Sequence, residues 1–214
     1  MWWSRAVRRC SVVAGVVVFA WTPPVLAGST ATELIAAFHS SVVDVMKAGN
    51  DLNLEGRYER LMPRVRSTFN VPFMMRVATD PKWREATEAE RAKLVDAYIR
   101  VSICTYASHI GSYGGEQFEI VGEQGSQTPY HFVFARVVRA SGDSIPLSYV
   151  MRKFGDDWRV VDIVVAGAIS EVALRRSEYG RIVNQDGVAK LAAQLNELAD
   201  RILARSSRPV ASSN

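Results

Sequence analysis

The sequence is poor in cysteine and in long apolar runs. Of its two cysteines, Cys10 lies in the first segment of the chain, and only Cys104 lies beyond residue 27. A chain processed at that point can form no intramolecular disulfide. After residue 27 no apolar run reaches the roughly 20 residues that a membrane-spanning helix needs. We therefore expect a soluble mature protein that is stabilised by packing alone.

The start of the chain has the pattern of a cleavable export signal. Arg5, Arg8 and Arg9 form a basic region, an apolar run extends from Ser11 to Trp21, and Val25-Leu26-Ala27 has the small residues typical of a cleavage site. The apolar run is about half as long as a membrane helix. The first 27 residues are therefore predicted to be a signal peptide, which implies export.

A large excess of charge of either sign is also absent. Removing the three arginines of the signal from a chain with 26 basic and 22 acidic residues leaves a net charge of +1. A value so near zero argues against the broad basic surface of a nucleic-acid-binding protein, so we predict no nucleic-acid partner. The predicted organisation is a signal peptide at 1–27, one domain at 28–205 and a disordered tail at 206–214.

Periodicity predicts helices towards both ends of the chain and strands between them. Apolar residues at helical spacing predict helices at 30–46, 50–69, 73–77, 88–113, 170–183 and 188–203. Runs rich in Val, Ile, Tyr and Phe, separated by glycine-containing turns, predict strands at 118–123, 130–139, 145–154 and 158–165. Connections this short favour an antiparallel meander. The order predicts an α+β fold, with a sheet of about four strands covered by helices from both ends of the chain.

Motifs for catalysis and metal binding are missing from the sequence. The histidines, His39, His109 and His131, are scattered singly, with no HExxH pattern and no acidic calcium loop. Cys104 lies in an apolar helical segment, where burial raises the pKa of a thiol and makes it unreactive. We therefore predict no metal, no cofactor and no enzymatic activity.

Two alternatives stay open. One is a small enzyme of conical sheet-and-helix architecture that acts on an apolar substrate, with Asp162 or His109 as the base and Tyr106 nearby. A buried Asp-His or Asp-Tyr pair facing a cavity would support it. The other is a structural adaptor whose interior is completely filled.

Large aromatic and flexible apolar side chains are plentiful and are divided between helices and sheet. Such side chains either fill a core or wall a cavity for acyl chains, and we expect one apolar face of the sheet to lie under the helices. The residues predicted to line a lipid pocket are Phe73, Met74, Val77, Tyr98, Tyr106, Ile110, Phe132, Phe134, Leu147, Tyr149, Met151 and Ile169. Arg57, Arg60 and Arg64 share one face of the second helix; they are either a docking surface for a partner or a solvated helix face.

Several short motifs occur in an order and spacing that resemble one family. They are Trp83-Arg84-Glu85-Ala86-Thr87, Thr105-Tyr106-Ala107, Trp158-Arg159-Val160-Val161-Asp162-Ile163, Gly167-Ala168-Ile169-Ser170 and Arg176-Ser177. From about Ala31 to Leu203 the chain resembles the toluene-tolerance, or MlaC-like, proteins. These are periplasmic phospholipid-binding components of an ABC transport system that moves lipid between the inner and outer membranes.

The resemblance implies a twisted antiparallel sheet, with lipid tails held in an apolar cavity between sheet and helices. It also implies a periplasmic monomer that contributes to outer-membrane lipid asymmetry. The partners implied are an inner-membrane ABC lipid transporter and an outer-membrane lipoprotein complex. In one departure, Val165 to Ser170 lacks a carboxylate common in the family and has one residue more before the serine. In another, Ile169 to Ile182 resembles the branch associated with hopanoid biosynthesis, so the ligand implied is a phospholipid or a hopanoid-like lipid.

Overall fold

The computed structural model describes residues 29–110 and 113–206. Its helices are α1 (Ala31–Lys47), α2 (Leu54–Thr68), α3 (Val71–Thr79), α4 (Lys82–Glu85), α5 (Glu88–His109) and α6 (Glu171–Ser206), with a 3-10 turn at Gly49–Asp51. Its strands are β1 (Gln117–Gly125), β2 (Tyr130–Val138), β3 (Ser144–Phe154), β4 (Asp157–Val165) and β5 (Ile169–Ser170). The predicted signal peptide lies outside the described residues, as does the predicted tail beyond Ser206.

The five strands form one antiparallel sheet in the order β1-β2-β3-β4-β5. This confirms the predicted α+β class and the meander. β5 was not predicted, because two residues are too few to show an alternating pattern. It forms where Ala166 and Gly167, with φ angles of 54° and 74°, reverse the chain so that Ile169 pairs with Val165.

Local signals fix the ends of several helices. Thr30 caps α1 and Thr87 caps α5, each in a reciprocal capping box with the glutamate three residues later. α5 ends at His109, four residues before the predicted end. α6 replaces the two predicted C-terminal helices, but Gly187 interrupts it with non-helical angles (φ 79°, ψ 175°), so the predicted break is confirmed.

The buried apolar side chains fall into two clusters. The helical cluster joins α2, α3, α5 and α6 and includes Met75, Leu94 and Leu191. The sheet cluster joins α1 to β2, β3 and β4 and consists of Ala31, Leu34, Ile35, Val133, Ala135, Tyr149, Met151 and Val160. Phe69, between α2 and α3, packs against both. We call the boundary between the two clusters the seam.

Helices flank the sheet on both sides. α1 packs on the face that carries Tyr149. Asp162 lies opposite Val150 on the other face and accepts a hydrogen bond from the backbone N–H of Val172 in the first turn of α6. Within the two described ranges, no helix is both long and apolar enough to span a membrane.

Candidate functional site

Tyr106, near the C-terminal end of α5, is a large aromatic side chain that remains accessible to solvent. Tyr106 exposes 57 % of its surface, yet burial raises the pKa of its hydroxyl. Glu171, whose charge acts on Tyr106, lies in the chain between two other exposed apolar residues, Ile169 and Leu174. We call Tyr106, Ile169 and Leu174 the mouth.

A polar cluster holds the start of α6 against α5 beside the mouth. The Tyr98 hydroxyl donates to Glu171 Oε1 at 3.2 Å, and Arg175 forms an ion pair with the same carboxylate at 2.7 Å. Arg175 also pairs with Glu178 and lies over the ring of Tyr179. Burial raises the pKa of the Tyr98 hydroxyl, which therefore stays protonated as a donor. The arginine charge is thus neutralised by protein carboxylates and is not free for an anion.

Asp162 fixes the start of α6 to the sheet. Its carboxylate accepts hydrogen bonds from Ser170 Oγ at 2.6 Å and from the backbone N–H of Val172 at 3.0 Å. Ser170 Oγ in turn accepts from the N–H of Ala173, as an N-cap does. The sequence analysis considered Asp162 only as a candidate base. The hydrogen bond between Asp162 and Ser170, eight residues later in the chain, was not predicted.

The residues of the alternative enzyme are not assembled. His109 is exposed, and its Nδ1 contacts the carbonyl of Thr105 at 2.7 Å and the hydroxyl of Ser108 at 3.3 Å. Neither His109 nor Tyr106 is a hydrogen-bond partner of Asp162. Over residues 29–110 and 113–206, no group of three or more His, Cys, Asp and Glu side chains is arranged to hold a metal ion. Cys104 is buried as predicted, and burial raises the pKa of its thiol.

The strand register divides the predicted lining residues of the sheet between its two faces. Leu147, Tyr149 and Met151 lie on the face under α1, and Phe132 and Phe134 lie on the opposite face with their rings 6.4 Å apart. Tyr149 pairs with Val133, whereas Phe134 pairs with Ser148. The expectation that both sets share one face is therefore wrong. Register depends on the loop between β2 and β3, which alternation within each strand does not reveal.

The predicted lining residues on the helices have three different environments. Met74 and Tyr98 are buried in the helical cluster, and Val77 and Ile110 pack against it. Phe73 instead contacts Phe154, at the end of β3, with ring centroids 5.9 Å apart. Tyr106 and Ile169 lie at the mouth. The structure thus brings Tyr106, Ile169 and Tyr98 towards one region and places Phe73 elsewhere.

A buried His-Tyr pair lies beneath α1 and was missed by sequence reasoning. His39 Nε2 lies 2.8 Å from the Tyr149 hydroxyl, and the two side chains are 4 % and 2 % exposed. Burial lowers the pKa of His39 to about 4 and raises that of Tyr149, whose hydroxyl is also influenced by Tyr106. The sequence did contain a sign that His39 is buried, because His39 lies one helical turn after Ile35, on the apolar side of α1.

The three arginines of α2 do not form one docking surface. Arg57 is only 9 % exposed and donates to the carbonyl of Gly49 at 3.0 Å. Arg64 is half-buried and donates to Ser41 Oγ at 3.1 Å, which ties α2 to α1. Of the three, only Arg60 is exposed. The three arginines do share one side of α2, but the expectation that all of them are available to a partner is wrong, because Arg57 and Arg64 bind neighbouring segments of the protein.

Comparison with known proteins identifies the family. The family model described as MlaC protein matches residues 37–197, about three quarters of the chain. This chain belongs to the MlaC family. Its membership indicates a binding or transport protein rather than an enzyme, in a family whose members are periplasmic. The sequence has no significant match among curated proteins.

A solved structure shares the fold of this MlaC family member. It is the phospholipid-binding protein from Ralstonia solanacearum, in complex with a phospholipid, with a TM-score of 0.72 and 18% sequence identity. The match covers 81% of this chain and 99% of that one. At this identity the likeness concerns the fold, and it confirms the predicted arrangement of sheet and helices.

Proposed function

We propose that this MlaC family member binds the tails of a phospholipid in the seam and carries the lipid through the periplasm. The observation that carries the proposal is the division of the interior into two apolar clusters, with an accessible but desolvated tyrosine, Tyr106, at the mouth. Family membership and the phospholipid in the Ralstonia solanacearum complex support it. Each cluster is held by its own buried contacts, so the seam can widen while both clusters stay intact.

The energetics of lipid transfer explain why a carrier needs such a seam. Moving a diacyl lipid into water exposes about 30 methylene groups at about 0.8 kcal/mol each, or roughly 24 kcal/mol. Spontaneous desorption from a membrane is therefore negligible. An equally apolar protein cavity makes transfer nearly neutral, provided that the lipid never crosses bulk water. The carrier thus docks first and transfers the lipid second.

The rest of the proposal concerns location and partners. Export by the signal at residues 1–27 places the mature chain in the periplasm. It acts there as a monomer without catalysis. It shuttles lipid between an inner-membrane ABC transporter and an outer-membrane lipoprotein complex, and so maintains lipid asymmetry of the outer membrane.

Substitution at the mouth tests the proposal. Tyr106→Glu places a carboxylate where the tails enter, and we expect it to reduce extraction of fluorescent phospholipid from vesicles at least tenfold. Val121→Glu is the matched control, because Val121 is 58 % exposed on β1 and lies outside the mouth. Both variants should keep the circular dichroism spectrum of the wild type. Undiminished extraction by the Tyr106 variant would refute the role of the mouth.

A further inference from the structure

An open groove lies between α1 and β1. Its volume is about 410 Å³, within the roughly 300–1,000 Å³ of small-molecule pockets. The lining residues are Ala36, His39, Ser40, Val43, Asp44 and Lys47 of α1 and Phe118 and Ile120 of β1. We call this feature the groove.

The groove and the seam lie on different sides of α1. Val45 belongs to the helical cluster, whereas Val43 lines the groove. Residues two apart in a helix point about 200° away from each other. Ser41, which contacts Arg64 of α2, likewise points away from the groove residue Val43. The groove residues other than His39, which contacts Tyr149 of the sheet cluster, therefore lie on the side of α1 that faces away from the seam.

His39 gives the groove one buried polar atom. Its Nε2 contacts Tyr149, and its ring packs on Phe118 with centroids 4.7 Å apart. Its Nδ1 has no hydrogen-bond partner among the described residues, yet it is not among the fully enclosed polar atoms without a partner. Since His39 as a whole is 4 % exposed and lines the groove, this nitrogen opens into the groove.

We assign His39 the tautomer in which the Tyr149 hydroxyl donates to Nε2, because that hydroxyl has no other acceptor among the described residues, and Nδ1 is then a hydrogen-bond donor. His39 is neutral, because burial lowers its pKa to about 4, and burial keeps the Tyr149 hydroxyl protonated by raising its pKa. A phenol O–H that donates to Nε2 places the imidazole proton on Nδ1. A hydrogen-bond donor with little access to water is stabilised when a bound acceptor satisfies it.

We propose that the groove binds one free fatty acid, whose carboxylate accepts a hydrogen bond from His39 Nδ1. The alkyl chain lies along Val43, Phe118 and Ile120. A methylene group needs about as much room as a water molecule, roughly 30 Å³, so the groove holds one chain of about a dozen carbons. Asp44 and Lys47 carry opposite charges one helical turn apart, so together they favour neither an anionic nor a cationic ligand. This site is independent of phospholipid carriage.

Titration with dodecanoate tests the site. We expect one saturable site by calorimetry on the purified protein, and a shift of the His39 Nδ1 resonance in NMR spectra on binding. Ser40→Trp fills the groove from an exposed helix position and should weaken binding at least tenfold. Ser67→Trp is the matched control, an exposed helical serine outside the groove, and should bind as the wild type does.

Further arms separate the groove from the seam. Dodecanoate binding should persist in Tyr106→Glu, and Ser40→Trp should still extract phospholipid from vesicles. Dodecyltrimethylammonium, which has the same chain and no acceptor, should bind at least tenfold more weakly. Unsaturable binding, equal affinity for the cation, an unaffected Ser40→Trp variant or loss of binding in Tyr106→Glu would each overturn the proposal.

Discussion

His39 is the buried polar residue of α1, and it meets the sheet at Tyr149. Because both groups are desolvated, their neutral forms are favoured and their hydrogen bond joins α1 to β3. Asp162 has the corresponding role on the opposite face of the sheet, where its carboxylate holds the first turn of α6. Two single side chains thus attach helices from opposite ends of the chain to the same sheet.

Protonation of His39 should make the protein less stable as the pH is lowered. Its pKa is about 4 in the folded protein, against an ordinary value of 6.5, so the unfolded chain binds more protons between these values. The free energy of unfolding should therefore decrease as pH falls from 6.5 towards 4, by roughly 3 kcal/mol in all. Urea unfolding at about pH 7.5, 6.0, 5.0 and 4.5 measures this loss. A slope in that window equal to that of His39→Gln would contradict the assignment.

Removal of the Asp162 carboxylate should loosen the start of α6. Asp162→Ala removes the acceptor for Ser170 and for the N–H of Val172, and we expect the free energy of unfolding to fall by about 2 kcal/mol. Asp156→Ala, in the exposed turn between β3 and β4, should change it by less than about 0.5 kcal/mol. Urea denaturation of both variants measures the difference. Equal stability of the two variants would show that Asp162 does not hold the start of α6.

At the scale of elements, the sequence was informative where a pattern is local. The capping boxes at Thr30 and Thr87, the break near Gly187 and the four longer strands follow from periodicity and from turn chemistry. The contacts between elements could not be predicted from the sequence. The placement of Phe134 and Tyr149 on opposite faces depends on the register between β2 and β3, and the burial of Arg57 depends on how α2 packs on its neighbours.

The break in α6 gives a prediction with an internal control. Gly187 has φ 79° and ψ 175°, a region almost confined to glycine, so Gly187→Ala should lower the free energy of unfolding by about 1 to 3 kcal/mol. Gly180 lies within the regular part of α6 with no atom within 4 Å of an added Cβ, and Gly180→Ala should raise it by about 0.5 to 1 kcal/mol. Thermal unfolding compares the two; a destabilised Gly180→Ala, or an unaffected Gly187→Ala, would contradict this description of the helix.

At the scale of the whole molecule, the candidate site was predicted only in part. Tyr106 and Ile169, which were expected to line a pocket, are exposed; Phe132 and Phe134 lie on the sheet face opposite Tyr149, and Phe73 packs on Phe154. The groove was not foreseen, because it depends on the spacing between α1 and an edge strand. Composition indicates that apolar side chains are available, but only packing determines where they leave space.

The central claim is that two apolar clusters part to admit the tails of a phospholipid. Mass spectrometry of the organic extract from gently purified protein tests it most directly. The account predicts a diacyl phospholipid at close to one molecule per protein chain, reduced at least tenfold in Tyr106→Glu. A folded wild-type protein without lipid would contradict it, and a polycyclic terpenoid in place of the phospholipid would contradict the ligand assignment.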